Sequence, residues 1–251
     1  MFGRLHPRIL VNRLADRKAR RLLEHISPFF READQDLREF VGSQEGRNGQ
    51  DELRDKWNEG SKDPLTYYSQ EVGDSYLYDL AFWHSAGDTI PWATTCYPHL
   101  RGEVIDFGGG IGSYTLMAGH KSAVRRVYYY DVNQTNLGFT KFRVTKRGTS
   151  AKTRFDLPDH QVDCLISLDV LEHLPDRVAA IGEFADLLKP GGVLLLNYTA
   201  HTSDGQHPMH LMTASEVGVV EQELGRRFQR VNSVEPGAWR KRRALPPGQG
   251  R

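Results

Sequence analysis

The segment V-I-D-F-G-G-G-I-G-S at 104–113 constrains this 251-residue chain more than any other stretch. A short apolar run ends in Gly108, Gly109, Gly110 and Gly112, and helix-forming sequence follows. Glycine lets a backbone turn sharply and approach a ligand without a Cβ in the way. The N-terminus of the following helix adds unpaired N–H groups. A strand, glycine loop and helix in this order belong to an open α/β sheet, where ligands bind at the carboxyl ends of the strands.

The sequence after Gly102 carries the alternation that such a sheet requires. Apolar, β-branched and aromatic runs predict strands at 103–107, 126–130, 151–155, 162–168 and 193–198. Helical patterns lie at 113–122, 133–147, 176–188 and 214–224, with a turn at 189–192. The stretches 228–234 and 238–245 read as a hairpin around Glu235, Pro236 and Gly237. Strands alternating with helices imply a doubly wound, mainly parallel sheet covered on both faces. The first 100 residues are different. Leu10, Leu14, Ala15, Ala19, Leu22, Leu23 and Ile26 predict one amphipathic helix, and the polar stretch 42–63 reads as a linker or loop. Tyr67, Tyr68, Tyr76, Tyr78, Phe82, Trp83 and Trp92 then crowd together as a core or a lid packed on one. The expected division is a helical and aromatic cap at 1–100, an α/β domain at 101–245 and a frayed tail at 246–251.

Composition removes several classes. Apolar residues make up 39% and charged residues 26%, so the chain is neither disordered throughout nor a membrane bundle. No apolar run approaches the roughly 20 residues of a spanning helix, and no signal-peptide core opens the chain. Cys96 and Cys164 are the only cysteines, which excludes a disulfide framework and makes a reducing cytoplasm the expected compartment. The formal charge of +1 is a cancellation: residues 1–30, 31–100, 101–225 and 226–251 carry +5, −8, −3 and +7. Basic ends read as solvated tails, or as contacts for RNA, a membrane surface or an acidic partner.

The loop itself discriminates between cofactors. A dinucleotide fingerprint, G-x-G-x-x-G, needs glycine at 113, where Ser113 stands. The pattern present is D-x-G-x-G-x-G, with Asp106 two residues ahead of Gly108. Asp131, in Y-Y-Y-D-V, closes the second strand 19 residues after Gly112, the place from which a carboxylate holds ribose hydroxyls. This order resembles motif I of the class I S-adenosylmethionine-dependent methyltransferases, of the type 11/12 kind. V-D-C-L-I-S-L-D-V-L-E-H-L-P-D at 162–176 and L-L-K-P-G-G-V-L-L-L at 187–196 resemble that family's fourth and fifth strands. The resemblance covers about residues 100–245 and implies a Rossmann-like, seven-stranded sheet with an N-terminal helical cap. It also implies S-adenosylmethionine as cofactor, held by Asp106, Gly108, Gly110, Gly112, Asp131 and Val132. Asp156, in R-F-D-L-P, would face the adenine, and Asp169 the methionine side.

The acceptor decides what else the chemistry needs. Asp169, Glu172 and His173 form D-x-x-E-H, a spacing that predicts one face of a helical turn. A loop holding His201, His207 and His210 follows the fifth strand. The candidate catalytic set is His173, Glu172 and His207. It resembles the E-x-x-E-H element of ubiquinone-pathway O-methyltransferases and small-RNA 2′-O-methyltransferases, with Asp169 in place of the first glutamate. That resemblance implies Mg²⁺ or Mn²⁺ on Asp169, Glu172, His173 and His207; the other reading is a metal-free pocket with His173 as general base. The expected activity is methylation of a small-molecule acceptor, oxygen ahead of nitrogen or carbon, with no membrane span and with nucleic acid a possible but not favoured partner. An RNA or protein methyltransferase is the alternative, supported by Lys141, Arg143, Lys146, Arg147, Lys152 and Arg154 with no acid among them. A nicotinamide-dependent oxidoreductase and a non-catalytic cofactor-binding subunit are further alternatives.

Overall fold

The strand Gly102–Phe107 (β1) has parallel neighbours on both sides, and its Val104 and Ile105 are fully buried. A strand covered on both faces needs a continuous apolar run, which explains V-I here and the L-L-L of the fifth strand. The computed structural model describes residues 7–42, 47–200 and 209–243, with side chains from Arg17 onward. The other strands are Val124–Tyr130 (β2), Thr153–Arg154 (β3), Val162–Ser167 (β4), Leu188–Leu196 (β5), Phe228–Arg230 (β6) and Gly237–Lys241 (β7). They form one sheet in the order β3-β2-β1-β4-β5-β7-β6, parallel except for β7, which runs antiparallel to both β5 and β6. The strand order reverses between β1 and β4, where a doubly wound sheet opens a ligand crevice. The expected seven-stranded, mainly parallel sheet is therefore present. The predicted turn at 189–192 is absorbed into β5, whose pairing with β4 is irregular between Val162 and Cys164.

Among the described residues seven α-helices precede the sheet: Pro7–Ile26 (α1), Pro28–Arg31 (α2), Ala33–Val41 (α3), Gly49–Glu59 (α4), Pro64–Thr66 (α5), Ser75–Ala86 (α6) and Ile90–Cys96 (α7). The linker expected at 42–63 is thus largely a helix. Asn48 caps α4 by accepting from the Asp51 N–H, and Leu53 and Trp57, four residues apart, bury one face. The polar composition reflected its solvated side only. Helices Ser113–His120 (α8), Gln134–Lys146 (α9), Arg177–Leu187 (α10) and Val217–Arg227 (α11) cover the sheet. Cap and sheet share a core, with Ile26, Phe29, Phe30 and Ile90 packed in one cluster with Val104, Cys164 and Val193. Among the described residues no helix is long and apolar enough to cross a membrane.

One buried cation joins these parts. The Arg143 side chain on α9 is fully buried and donates to Asp36 Oδ2 at 3.0 Å, the Ile111 carbonyl at 2.7 Å, Ser113 Oγ at 2.9 Å and the Phe29 carbonyl at 2.6 Å. Asp36, also fully buried, accepts further bonds from Arg147 at 2.6 Å and Lys146 at 3.0 Å. Arg147 also pairs with Glu32, and Lys146 with Glu39. Half of the basic run at 141–154 is therefore turned onto acids of the cap, which removes it as support for an RNA-binding face. Burial alone would raise the Asp36 carboxyl, but bonds from Arg147, Lys146 and Arg143 outweigh it and hold the group below its ordinary value. Asp36→Ala leaves Arg143 buried beside no carboxylate and should cost about 3–5 kcal/mol in urea unfolding. The depressed folded value means that this contribution is complete above about pH 4 and disappears as pH falls through it. Wild type should thus lose stability between about pH 4 and 2 more steeply than Asp36→Asn; parallel profiles would refute this role.

Candidate cofactor and acceptor site

Beyond β1 the chain turns back on itself because the N–H groups of Gly108 and Gly109 both donate to the Tyr130 carbonyl at the end of β2, at 2.8 and 3.1 Å. Gly108 has φ +69°, and a Cβ there would overlap the Val170 side chain. The Gly110 carbonyl accepts from Tyr129 Oη at 2.6 Å and Thr140 Oγ1 at 3.1 Å. Asp131 holds the loop from the other side. Its Oδ2 accepts from the Gly110 N–H and its Oδ1 from the Asn133 N–H, each at 2.8 Å. Burial raises its carboxyl above the ordinary value. Asp106, almost fully buried, accepts from Thr115 Oγ1 at 2.6 Å, and burial pushes it up to about 6.

Two hollows are lined by this loop, and a third adjoins them. A cleft of about 310 Å³ runs past Leu65, Gly108, Tyr130, Asp131 and Val132. A pocket of about 50 Å³ lies at Asp106, Gly110 and Leu168, closed from the cap by His84 and Thr89. A third hollow, again about 310 Å³, lies under the cap between α4, α6 and α7 and the segment after β4. Tyr76 and Asp169 line all three, and Tyr68 and His173 face both large ones. These four side chains form the wall between cleft and cap hollow. Tyr68 is placed by a π-helical turn, Tyr67–Glu71, whose Tyr68 carbonyl accepts from Asn133 Nδ2 at 3.0 Å.

The D-x-x-E-H spacing does not produce a shared helical face. Asp169 has φ +52°, and only a 3₁₀ turn, Leu171–His173, follows it. Its carboxylate is held instead by Asn197 at the end of β5. Asn197 Nδ2 donates to Asp169 Oδ1 at 2.8 Å, and the Asp169 N–H donates to Asn197 Oδ1 at 2.7 Å. Crowding by protein atoms pushes the Asp169 carboxyl up to about 6. Glu172 is fully buried, and among the described residues its carboxylate oxygens have no side-chain hydrogen-bond partner, with only the Glu172 and Thr199 backbone close by. Burial, then the Asp169 charge, push it up to about 8. His173 Nδ1 lies 3.0 Å from Tyr68 Oη and 3.2 Å from the Met209 carbonyl, and its ring meets His210 edge-on at 4.8 Å. The Leu211 N–H donates to the Glu172 carbonyl, which draws His210 against this turn.

Ligand atoms of Glu172, His173 and His210 all lie within 4.8 Å of one another. Asp169 is not in that convergent group, because the left-handed turn and Asn197 aim it elsewhere. His207 and His201 lie outside the described residues. Gly112, with φ +73°, caps α8 and does not line the hollows. Asp156 is exposed and lines none of the three, because β3 is two residues long and the chain leaves the sheet early. The periodicity did not mark His84, Thr89, Asn197 or Arg143 as site residues. For Asn197 a signal existed: a lone amide closing the apolar run L-L-L. His84 Nδ1 lies 2.7 Å from Ser113 Oγ, and burial lowers its pKa to about 3, so the ring is neutral. Ser113 thereby sits between Arg143, which donates to it, and the neutral His84 ring, which shares a hydrogen bond with it.

Known proteins share both this geometry and its sequence pattern. Residues 105–196 match the family model of the methyltransferase domain. An uncharacterized methyltransferase of Mycobacterium sp. (strain JLS) is 25% identical over 150 residues, which cover 59% of this chain and 56% of that protein. Another, from Mycobacterium sp. (strain KMS), is 25% identical over 137 residues, covering 55% and 51%. The chain spans about half the length of the curated relatives it matches. An O-methyltransferase family protein from Burkholderia thailandensis shares the fold, with a TM-score of 0.51 and 18% identity over 77% of this chain and 70% of that one. Residues 105–196 are thus similar to the methyltransferase domain, and curated methyltransferases share that similarity over a somewhat longer stretch.

The loop geometry has a measurable consequence. Gly148 also has positive φ, +73°, but open space around it, so Gly148→Ala should cost only the backbone penalty of about 1–2 kcal/mol. Gly108→Ala should cost more in thermal or urea unfolding, and Val170→Ala should recover the excess. Equal costs at 108 and 148 would exclude the contact with Val170.

Proposed function

We propose that the chain transfers a methyl group from S-adenosylmethionine to a small-molecule acceptor held under the cap, with hydroxyl oxygen favoured as the receiving atom. The observation that carries this reading is the single wall of Tyr68, Tyr76, Asp169 and His173 between two hollows of about 310 Å³ each. One is lined by the glycine loop and Asp131, the other by the cap. The cofactor supplies a methyl carbon already activated by a sulfonium, so the protein's tasks are alignment, exclusion of water and removal of the acceptor's proton. Asp131 and Val132 would hold the ribose side, Gly108 and Gly110 permit close approach, and Asp106 and Asp169 face the amino-acid end. Ser113 is buried and bonded to His84 and Arg143, so the position of a dinucleotide loop's third glycine has a structural duty here. Residues 1–100 act as the lid and 101–245 as the methyltransferase domain, and the two buried free cysteines fit a reducing cytoplasm.

His173 is the proposed base. A carbonyl only accepts, so a hydrogen bond to Met209 places the proton on Nδ1 and leaves the basic lone pair on Nε2. A second reading rests on the convergence of Glu172, His173 and His210, one carboxylate and two imidazoles, a donor set suited to Mn²⁺ better than to Mg²⁺. Such an ion would lower the pKa of an acceptor hydroxyl.

A methyl-transfer assay across phenols, amines and tRNA, run with and without chelator, tests both readings. His173→Ala should lower turnover by about 10²–10⁴ while S-adenosylhomocysteine still binds. A rate abolished by chelator and restored by Mn²⁺ selects the metal reading, and an unchanged rate removes it. Asp131→Ala should weaken S-adenosylhomocysteine by roughly 1.5–3 kcal/mol in calorimetry. Unaltered affinity would refute the ribose role.

A further inference from the structure

The pocket of about 50 Å³ at the glycine loop has two sides of different chemistry. Asp106 and Asp169 line it from the strand ends, and His84 and Thr89 line it from the cap. Thr89 is 8% exposed, and its hydroxyl oxygen is buried with no hydrogen-bond partner among the described residues. Buried polar atoms are rarely left in that state, so this one calls for a partner from outside the chain. His84 contributes a second donor. Arg143 Nη1 donates to Ser113 Oγ at 2.9 Å, and His84 Nδ1, at 2.7 Å, is the acceptor that remains for the hydroxyl's own proton among the described residues. The opposite tautomer would strand that proton in a fully buried place, which is costly. The neutral ring therefore carries its proton on Nε2, away from Ser113. The cap thus supplies two neutral donors opposite two acids.

We propose that His84 and Thr89 bind the carboxylate of the cofactor's amino-acid end, so that the cap itself recognises S-adenosylmethionine. The inference rests on the reading above that this end faces Asp106 and Asp169. An amino acid's ammonium only donates and suits the two acids, whereas its carboxylate only accepts and suits the two donors. Hydrogen bonds to an ion are roughly twice as strong as neutral ones, so this pair can discriminate although neither residue is charged. Neutral donors also fit the surroundings, since a lysine or arginine placed here would be drawn to Asp106 or Asp169 instead. His84 and Thr89 line the cap hollow as well, so the carboxylate lies at the boundary between cofactor and acceptor. Arg143 bonds both Ser113 and Asp36 of the cap, so the group that orients His84 is also the one that docks the cap.

Calorimetry on the full chain tests this with two ligands, S-adenosylhomocysteine and its decarboxylated analogue, which keeps the adenosine, sulfur and amine. Wild type should bind S-adenosylhomocysteine about tenfold more tightly than the analogue, or better. Thr89→Val and His84→Ala should each weaken S-adenosylhomocysteine about fivefold or more and leave the analogue's affinity unaltered. The analogue thereby reports that each variant is folded, and the isosteric Thr89→Val keeps the test decisive if His84→Ala disturbs Ser113. Equal affinity of wild type for the two ligands would overturn the inference. So would a Thr89→Val variant that weakens both ligands alike, or neither. Were S-adenosylhomocysteine itself not bound by wild type, the reading of the glycine loop would fail first, and this inference with it.

Discussion

The structure depends on a guanidinium that has no contact with water. Arg143 presents five N–H donors in a rigid fork, and the fold surrounds that fork with acceptors from three separate places. Asp36 and the Phe29 carbonyl come from the cap, the Ile111 carbonyl from the glycine loop, and Ser113 from the first turn of α8. A lysine supplies one point charge and cannot serve these directions together. Burial lowers Arg143 only to about 10, so it remains charged at neutral pH. The cost of desolvating such an ion is several kcal/mol, and it is offset only while every partner stays in place. Cap position and loop conformation are therefore one condition.

That coupling explains why the site lies at a seam. The sheet alone offers the crevice at the β1–β4 switch point, but Tyr68, Tyr76, His84 and Thr89 reach it from the cap. Asp131 and Asn133 extend the same logic. One carboxylate fixes the Gly110 and Asn133 amides, and the Asn133 side chain then holds the Tyr68 carbonyl. Asn197 does for Asp169 what Asn133 does for Tyr68, anchoring a wall residue from a neighbouring strand end. Two of the four wall residues, Tyr68 and Asp169, are thus anchored by asparagines that follow strand ends.

Features with a local cause were legible in the sequence. The alternating strands, the glycine loop and Asp131 follow from periodicity and spacing, and the sheet contains them where expected. What failed had causes distant in sequence. The D-x-x-E-H spacing implied a helix, but the backbone at Asp169 answers to Asn197, 28 residues away. Asp156 sat correctly in order, yet a two-residue β3 releases the chain before it reaches the cleft. The polar stretch before Pro64 hid α4 because only Leu53 and Trp57 of that helix turn inward. Arg143 is the clearest case: six basic residues without an intervening acid resemble a solvated face, and nothing local separates the buried one from its neighbours.

The charge pattern can now be assigned an address. Residues 31–100 carry −8, and part of that excess is paired with cations elsewhere in the molecule. Glu32, Asp36 and Glu39 meet Arg143, Lys146 and Arg147 and bind the cap to α9. Arg47 similarly takes Glu52 and Asp74. Asp79 and Asp88 line the cap hollow. Opposite charges a hundred residues apart are thus a device for docking one part of the chain on another.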